Sequence, residues 1–132
     1  MTVPVTALYT GLCLILLLVL AIKVVGWRRK AQVSLGDGDH KDLRQAIRSH
    51  GNAAEHMPLV LLGLAILELN GTSGWLLHLY GSVFFVARIM HAVGLGRPRA
   101  VNAPRQLGVL ITWIIMLAMG IQLIISTLPM MG

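Results

Sequence analysis

Arg48, Asn52 and Glu55 are spaced i, i+4 and i+7 in the run RQAIRSHGNAAEHMPLVLLGLAILELNG, which extends from Arg44 to Gly71. On a helix that spacing places a guanidinium, an amide and a carboxylate on one face, with Arg44 preceding them on the same stripe. Each of these groups pairs strongly with a complementary charge or hydrogen-bonding group. Arginine forks take carboxylates, a carboxylate accepts from an ammonium, and an amide both donates and accepts. Glu55 lies about 10 Å further along the helix axis than Arg48, so the stripe descends into a segment apolar enough to cross a bilayer. A charge at the bilayer centre costs about 2.5–3.5 kcal/mol or more, so these residues need a partner or a function. Arg88 is the expected counterpart of Glu55, with His91 at i+3 on the Arg88 face. A plainer account is also physical: Arg44 and Arg48 anchor the interface, and Glu55 with Arg88 forms a structural ion pair.

The elements that position these residues follow from composition. A chain of 132 residues that is 56% hydrophobic and 12% charged is too apolar for a soluble domain of its size. Four stretches nearly free of charge approach the roughly 20 residues that cross a bilayer as a helix. The sequence predicts helices over 2–27, 42–69, 74–94 and 104–128, in one domain spanning 1–132. The expected fold class is all-α, an integral membrane four-helix bundle. The first segment lacks a basic leader and a small-x-small cleavage site, so it is expected to be retained. Asp42 is the expected N-cap of the second helix, and Pro58 is expected to bend it.

The net charge of +6 follows the topology. Arg28, Arg29, Lys30, Lys41, Arg44 and Arg48 flank the first connection; Arg97, Arg99 and Arg105 flank the third. The Asn70–Ser73 turn holds no Lys or Arg. The expected localisation is the cell inner membrane, multi-pass, and the positive-inside rule predicts both basic connections cytoplasmic and both termini outside. No aromatic-basic stripe suggests nucleic acid. Cys13 is the single cysteine, which excludes a disulfide framework or a CxxC centre within one chain, and the five histidines match no metal spacing. His78 and His91 share one helix about 20 Å apart, which argues against paired haem ligation. His78 and Trp75 are read as outer-interface residues, Gln122 as an interhelical hydrogen bond and Trp113 as packing.

Arg48-x3-Asn52-x2-Glu55-x2-Pro58, with Arg88 in the third helix, resembles the signature of the MAPEG family, the membrane-associated proteins in eicosanoid and glutathione metabolism. The runs GDGDHKDLRQAIRSHGNAAEHMPL, ELNG and ARIMHAVGL look most like its small bacterial members. The resemblance implies a homotrimer that binds glutathione between neighbouring subunits near the cytoplasmic side. It carries Arg48, Asn52, Glu55 and Arg88 over as ligand contacts, with His50 standing where some relatives place glutamine. It also implies that Arg28 or Arg29 reaches across from helix one.

The chain departs from that pattern. Two ligand-contacting tyrosines of the eicosanoid members appear as His56 and His91, and a third as Leu95. The arginine that stabilises the thiolate at the start of helix four aligns with Val101 or Asn102. A lowered thiol pKa needs a close positive charge or donor, so Arg99, Arg105 and His91 are the candidates. Two functions are implied. One is a glutathione-dependent transferase or peroxidase whose lipophilic small-molecule or lipid substrate enters from the bilayer. The other is a non-catalytic binding or scaffold protein of the same fold. A small four-helix multidrug exporter is excluded, because residues 2–22 lack the acidic residue it needs in helix one.

Overall fold

The structure is a computed structural model that describes residues 2–95 and 102–131. Four helices carry the chain: α1 (Pro4–Ala31), α2 (Lys41–Leu69), α3 (Gly74–Leu95) and α4 (Ala103–Thr127), followed by a 3-10 turn at Leu128–Met130. All four are long and apolar enough to cross a membrane. α3 packs most extensively on α4 and α1 on α2, while α2 and α3 meet in the middle. α1 also touches α3, and α4 touches α2; α1 and α4 make no contact with each other. The central pair is therefore α2 and α3, with α1 and α4 on opposite flanks.

Leu64, Leu67, Leu77 and Phe84 fill the middle with almost no exposure, joined by Tyr9 and Cys13 from α1 and Ile115 and Met119 from α4. The outward surface is equally apolar. Leu14, Ile15, Leu18 and Ile22 on α1, and Leu117, Ile121, Ile124 and Ile125 on α4, are exposed. A helix apolar on both faces is stable only with lipid or another protein on its outer side.

α1 runs four residues beyond the expected end, to Ala31. Arg28, Arg29 and Lys30 occupy its last turn, where cations complement the helix dipole. Gln32 stops it in a left-handed conformation at φ 55°, and Val33 N–H bonds back to the Arg28 carbonyl at 3.1 Å. The start of α2 also differs from expectation. His40 holds the cap position and Asp42 lies inside the first turn without a capping bond, where its charge still favours the helix N-terminus. Pro58 lies within α2 without ending it.

At the other end of the bundle, Glu68 joins α2 to the start of α1. Its two carboxylate oxygens accept from Val5 N–H at 2.9 Å and Thr6 N–H at 2.7 Å. α1 has no side-chain cap and no acidic residue in its first turn, so α2 supplies from a distance the anion that α1 lacks. Nearby, the Tyr9 hydroxyl meets His78 Nδ1 at 3.1 Å. Gln122 bridges helices as expected, accepting from Tyr80 at 2.8 Å and donating to Thr72 at 3.3 Å. Trp113 does not pack inside the chain: it is exposed.

Candidate functional site

Close approach of α3 to α4 builds one wall of the site. A Cβ on Gly108 would stand 2.6 Å from both the Ala87 carbonyl oxygen and the His91 nitrogen. A Cβ on Gly94 would collide with the Arg105 backbone. Two glycines thus let the backbones touch, as small residues do between membrane helices. Asn102 ties the same junction. Its Nδ2 donates to the Gly94 carbonyl at 2.7 Å and its Oδ1 accepts from Arg105 N–H at 3.1 Å, capping α4. This fixes Arg105 beside His91.

The other wall is the first half of α2. Between them lies a cleft of about 200 Å³ lined by Arg44, Gln45, Arg48, Asn52, His91, Leu95 and Arg105. No carboxylate is among these residues. Arg44 and Arg48 are largely exposed, Arg105 half-buried and His91 buried. Three guanidinium groups meet at this opening; Arg44 is also paired with Asp37 and Asp39, and Arg48 lies 3.9 Å from Glu55.

Arg88 lies behind the cleft and is 2% exposed. The expected Glu55–Arg88 pair is absent. Arg88 Nη1 donates instead to Asn52 Oδ1 at 2.7 Å, and its Nε and Nη2 are buried with no hydrogen-bond partner among the described residues. Glu55 turns outward, 3.9 Å from Arg48, with both side chains more than half exposed. The reason is angular. Asn52 and Glu55 are three residues apart, and the buried face of α2 contains Ala53, Met57 and Val60, closer in angle to Asn52 than to Glu55. A guanidinium only donates, so the Asn52 atom facing Arg88 is the carbonyl oxygen, and its two amide N–H donors are left for other partners.

The structure therefore brings Arg48, Asn52, His91 and Arg105 together at one opening, with Arg88 behind them. It does not bring Arg28, Arg29, His50, Glu55 or His56 into the lining. Arg28 is engaged at the end of α1, donating to the Ser34 and Gly36 carbonyls at 3.2 and 2.9 Å. Arg29 is exposed in the last turn of α1 and His50 is half-buried. His56 Nδ1 lies 2.8 Å from the Asn52 main-chain carbonyl oxygen, to which it must donate. Arg99 lies outside the described residues. Gln45 is the lining residue that inspection of the sequence misses, although it precedes Arg48 by three and Asn52 by seven positions, on the same face.

Arg44 also holds the first connection, pairing with Asp37 at 2.5 Å and Asp39 at 3.2 Å. The Arg44 hydrogen bond, with a further one from Asp39 N–H, keeps the Asp37 carboxyl below its ordinary value. A depressed carboxyl pKa stabilises the ordered connection above the unfolded value, and that contribution disappears as pH falls through the folded value. Carboxyl-carbon NMR titration should show Asp37 protonating below the usual value of about 3.9, and returning toward it in Arg44→Gln.

The fold and the cleft define a class: a four-helix membrane protein with an arginine-lined opening between its second helix and its last two. Residues 6–125 match the MAPEG family. Two relatives, both "Inner membrane protein YecN", come from Escherichia coli strain K12 and Escherichia coli O6:H1 strain CFT073. Each is 39% identical over 90 residues, covering 68% of this chain and 69% of the relative. The chain belongs to the MAPEG family.

Proposed function

We propose that this chain is a glutathione-dependent transferase or peroxidase of the inner membrane, acting on lipophilic electrophiles. The observation that carries this reading is the cleft lined by Arg48, Asn52, His91 and Arg105 with no carboxylate in its wall. Glutathione brings two carboxylates, an ammonium and a thiol. Arg48 and Arg44 at the mouth suit a carboxylate, and the free amide donors of Asn52 suit an anionic oxygen or sulfur. Arg105 stands in the first turn of α4 and lines the cleft, so it supplies the cation near sulfur that the family pattern places at that turn. The thiol gives its proton to water and Arg105 stabilises the thiolate. Sulfur then bonds to an electrophilic carbon as the leaving group departs with its bonding pair, or to a hydroperoxide oxygen as the O–O bond breaks. In the second case sulfur is oxidised to sulfenic acid and the alkoxide takes a proton from water.

The working unit in this reading is a homotrimer with both basic connections cytoplasmic and both termini outside. Glu55 supports assembly. It lies about 21 Å from the outer end of α2, within the roughly 30 Å thickness of the hydrocarbon core, yet its side chain is 57% exposed. A neighbouring subunit would cover it, and Arg28 or Arg29 of a neighbour's α1 would complete the site.

Calorimetric titration of detergent-solubilised protein with glutathione tests this. Arg48→Leu should weaken binding about ten- to a hundredfold, the effect of losing a charge-assisted bond worth roughly 1.5–3 kcal/mol. Unchanged affinity in Arg48→Leu would make the stripe an interfacial anchor. Arg105→Leu should leave affinity nearly intact and abolish the ultraviolet thiolate absorbance of bound glutathione. One observation favours a second reading, a non-catalytic binding or scaffold protein: His56, standing where eicosanoid members have a tyrosine, is turned to the Asn52 carbonyl and away from the cleft lining. Binding without thiolate absorbance in the unmodified protein would select that reading.

A further inference from the structure

A second cavity adjoins α2 next to the first, sharing Gln45 with it, between the first turns of α2 and the basic end of α1. It has a volume of about 50 Å³ and is lined by Lys23, Trp27, Asp42, Gln45, Ala46 and Ser49. We propose that it holds the headgroup of a zwitterionic phospholipid, a phosphodiester bearing a primary ammonium.

Ser49 is the strongest pointer. It is 3% exposed, and its hydroxyl is buried with no hydrogen-bond partner among the described residues. A helical serine or threonine ordinarily satisfies itself on the carbonyl four residues back, as Thr112 does on Gly108 at 2.8 Å. Ser49 does not, and it lines the cavity. A buried hydroxyl left unpaired in this way calls for an external acceptor or donor.

The charges say which kind. Lys23 and Asp42 line the same small space, yet no ion pair joins them. A cation and an anion held apart around one cavity match a ligand whose own two charges are separated. The Lys23 ammonium and the Ser49 hydroxyl suit phosphate oxygens, and the Asp42 carboxylate accepts from an ammonium. A quaternary ammonium has no N–H to donate, and a headgroup without a cation leaves Asp42 facing a phosphate. Both fit less well.

Depth points to a lipid as the source. Lys23 stands about 28 Å along α1 from Pro4, close to the roughly 30 Å thickness of the hydrocarbon core. The cavity therefore sits at the level of the headgroups. Trp27, with the Lys30 ammonium 4.7 Å from its ring centroid, is the aromatic-basic pair typical of that boundary.

Native mass spectrometry of the full-length protein, released from detergent with equimolar phosphatidylethanolamine, phosphatidylcholine and phosphatidylglycerol of matched acyl chains, tests the assignment. Phosphatidylethanolamine adducts should dominate. Asp42→Asn should lower them about three- to fivefold, to the phosphatidylcholine level, the range an exposed charge pair supports. Lys23→Gln should weaken all three lipids, and Ser49→Ala should weaken phosphatidylethanolamine while the protein still carries its other lipids. Equal adducts of the three lipids, or a preference unchanged in Asp42→Asn, overturns the proposal. Displacement of the lipid by equimolar soluble glycerophosphoethanolamine overturns the membrane source.

Discussion

Asn52→Leu is expected to destabilise the detergent-solubilised protein by about 3 kcal/mol or more, through a residue that Asn52 serves rather than through Asn52 itself. Arg88 is 2% exposed, and among the described residues its hydrogen-bond acceptor is the Asn52 side-chain Oδ1 at 2.7 Å. Without that oxygen a full charge stays in the bundle with no acceptor among the described residues. Asn52→Asp should reverse the loss, because a carboxylate at that place turns a hydrogen bond into a charge-assisted pair. Combining Asn52→Leu with Arg88→Met should be less damaging than Asn52→Leu alone, since the stranded charge is removed along with its partner. Thermal unfolding followed by circular dichroism reads these three variants and Arg88→Met alone. Losses that simply add in the double variant would show that the two side chains act independently.

Gly108→Val is expected to be as severe by an unrelated route. Its Cβ would meet the Ala87 carbonyl oxygen and the His91 nitrogen at 2.6 Å. These are backbone atoms of α3, so no side chain can rotate away and the helices must separate. Overpacking of a tight interface costs about 1–3 kcal/mol and occasionally more; rigid neighbours put this site at or above the upper end. Separation would also widen the opening between His91, Arg105 and α2, so any ligand affinity of the cleft should fall with stability. Gly120 is the control. A Cβ there meets nothing within 4 Å, so Gly120→Ala should be neutral or gain about 0.5–1 kcal/mol from helix propensity. Equal melting temperatures for Gly108→Val and Gly120→Ala would refute the close packing of α3 on α4.

Much of the site was legible because helical periodicity is local. The spacing of Arg48 and Asn52 puts both on one face whatever they pack against, and the depth of Arg88 follows from counting residues back from Gly94. The partner of Arg88 was not legible. Asn52 and Glu55 both begin in the same turn of α2, and a carboxylate is the stronger electrostatic partner on paper. The rotation of α2 about its own axis decides between them, and that rotation is set by Ala53, Met57 and Val60 packing into the core. The same limit applies to Glu68. An acidic residue at a helix end reads as an interfacial group, and its role as cap for α1 exists only once residues 62 and 63 positions apart meet.

Composition, span length and charge asymmetry determined the membrane class, the four helices and the positions of their connections. Each of these depends on transfer of short segments between water and lipid, a property of local sequence. The resemblance in the Arg48–Pro58 run determined the family, which the match over residues 6–125 shows. Tertiary structure decided which polar groups face one another: Asn52 with Arg88, Glu68 with the start of α1, Arg105 beside His91 across two glycines. Hydrogen bonds act over about 3 Å, and a helix turned by one residue, 100°, exchanges one partner for another while leaving every apolar span unchanged.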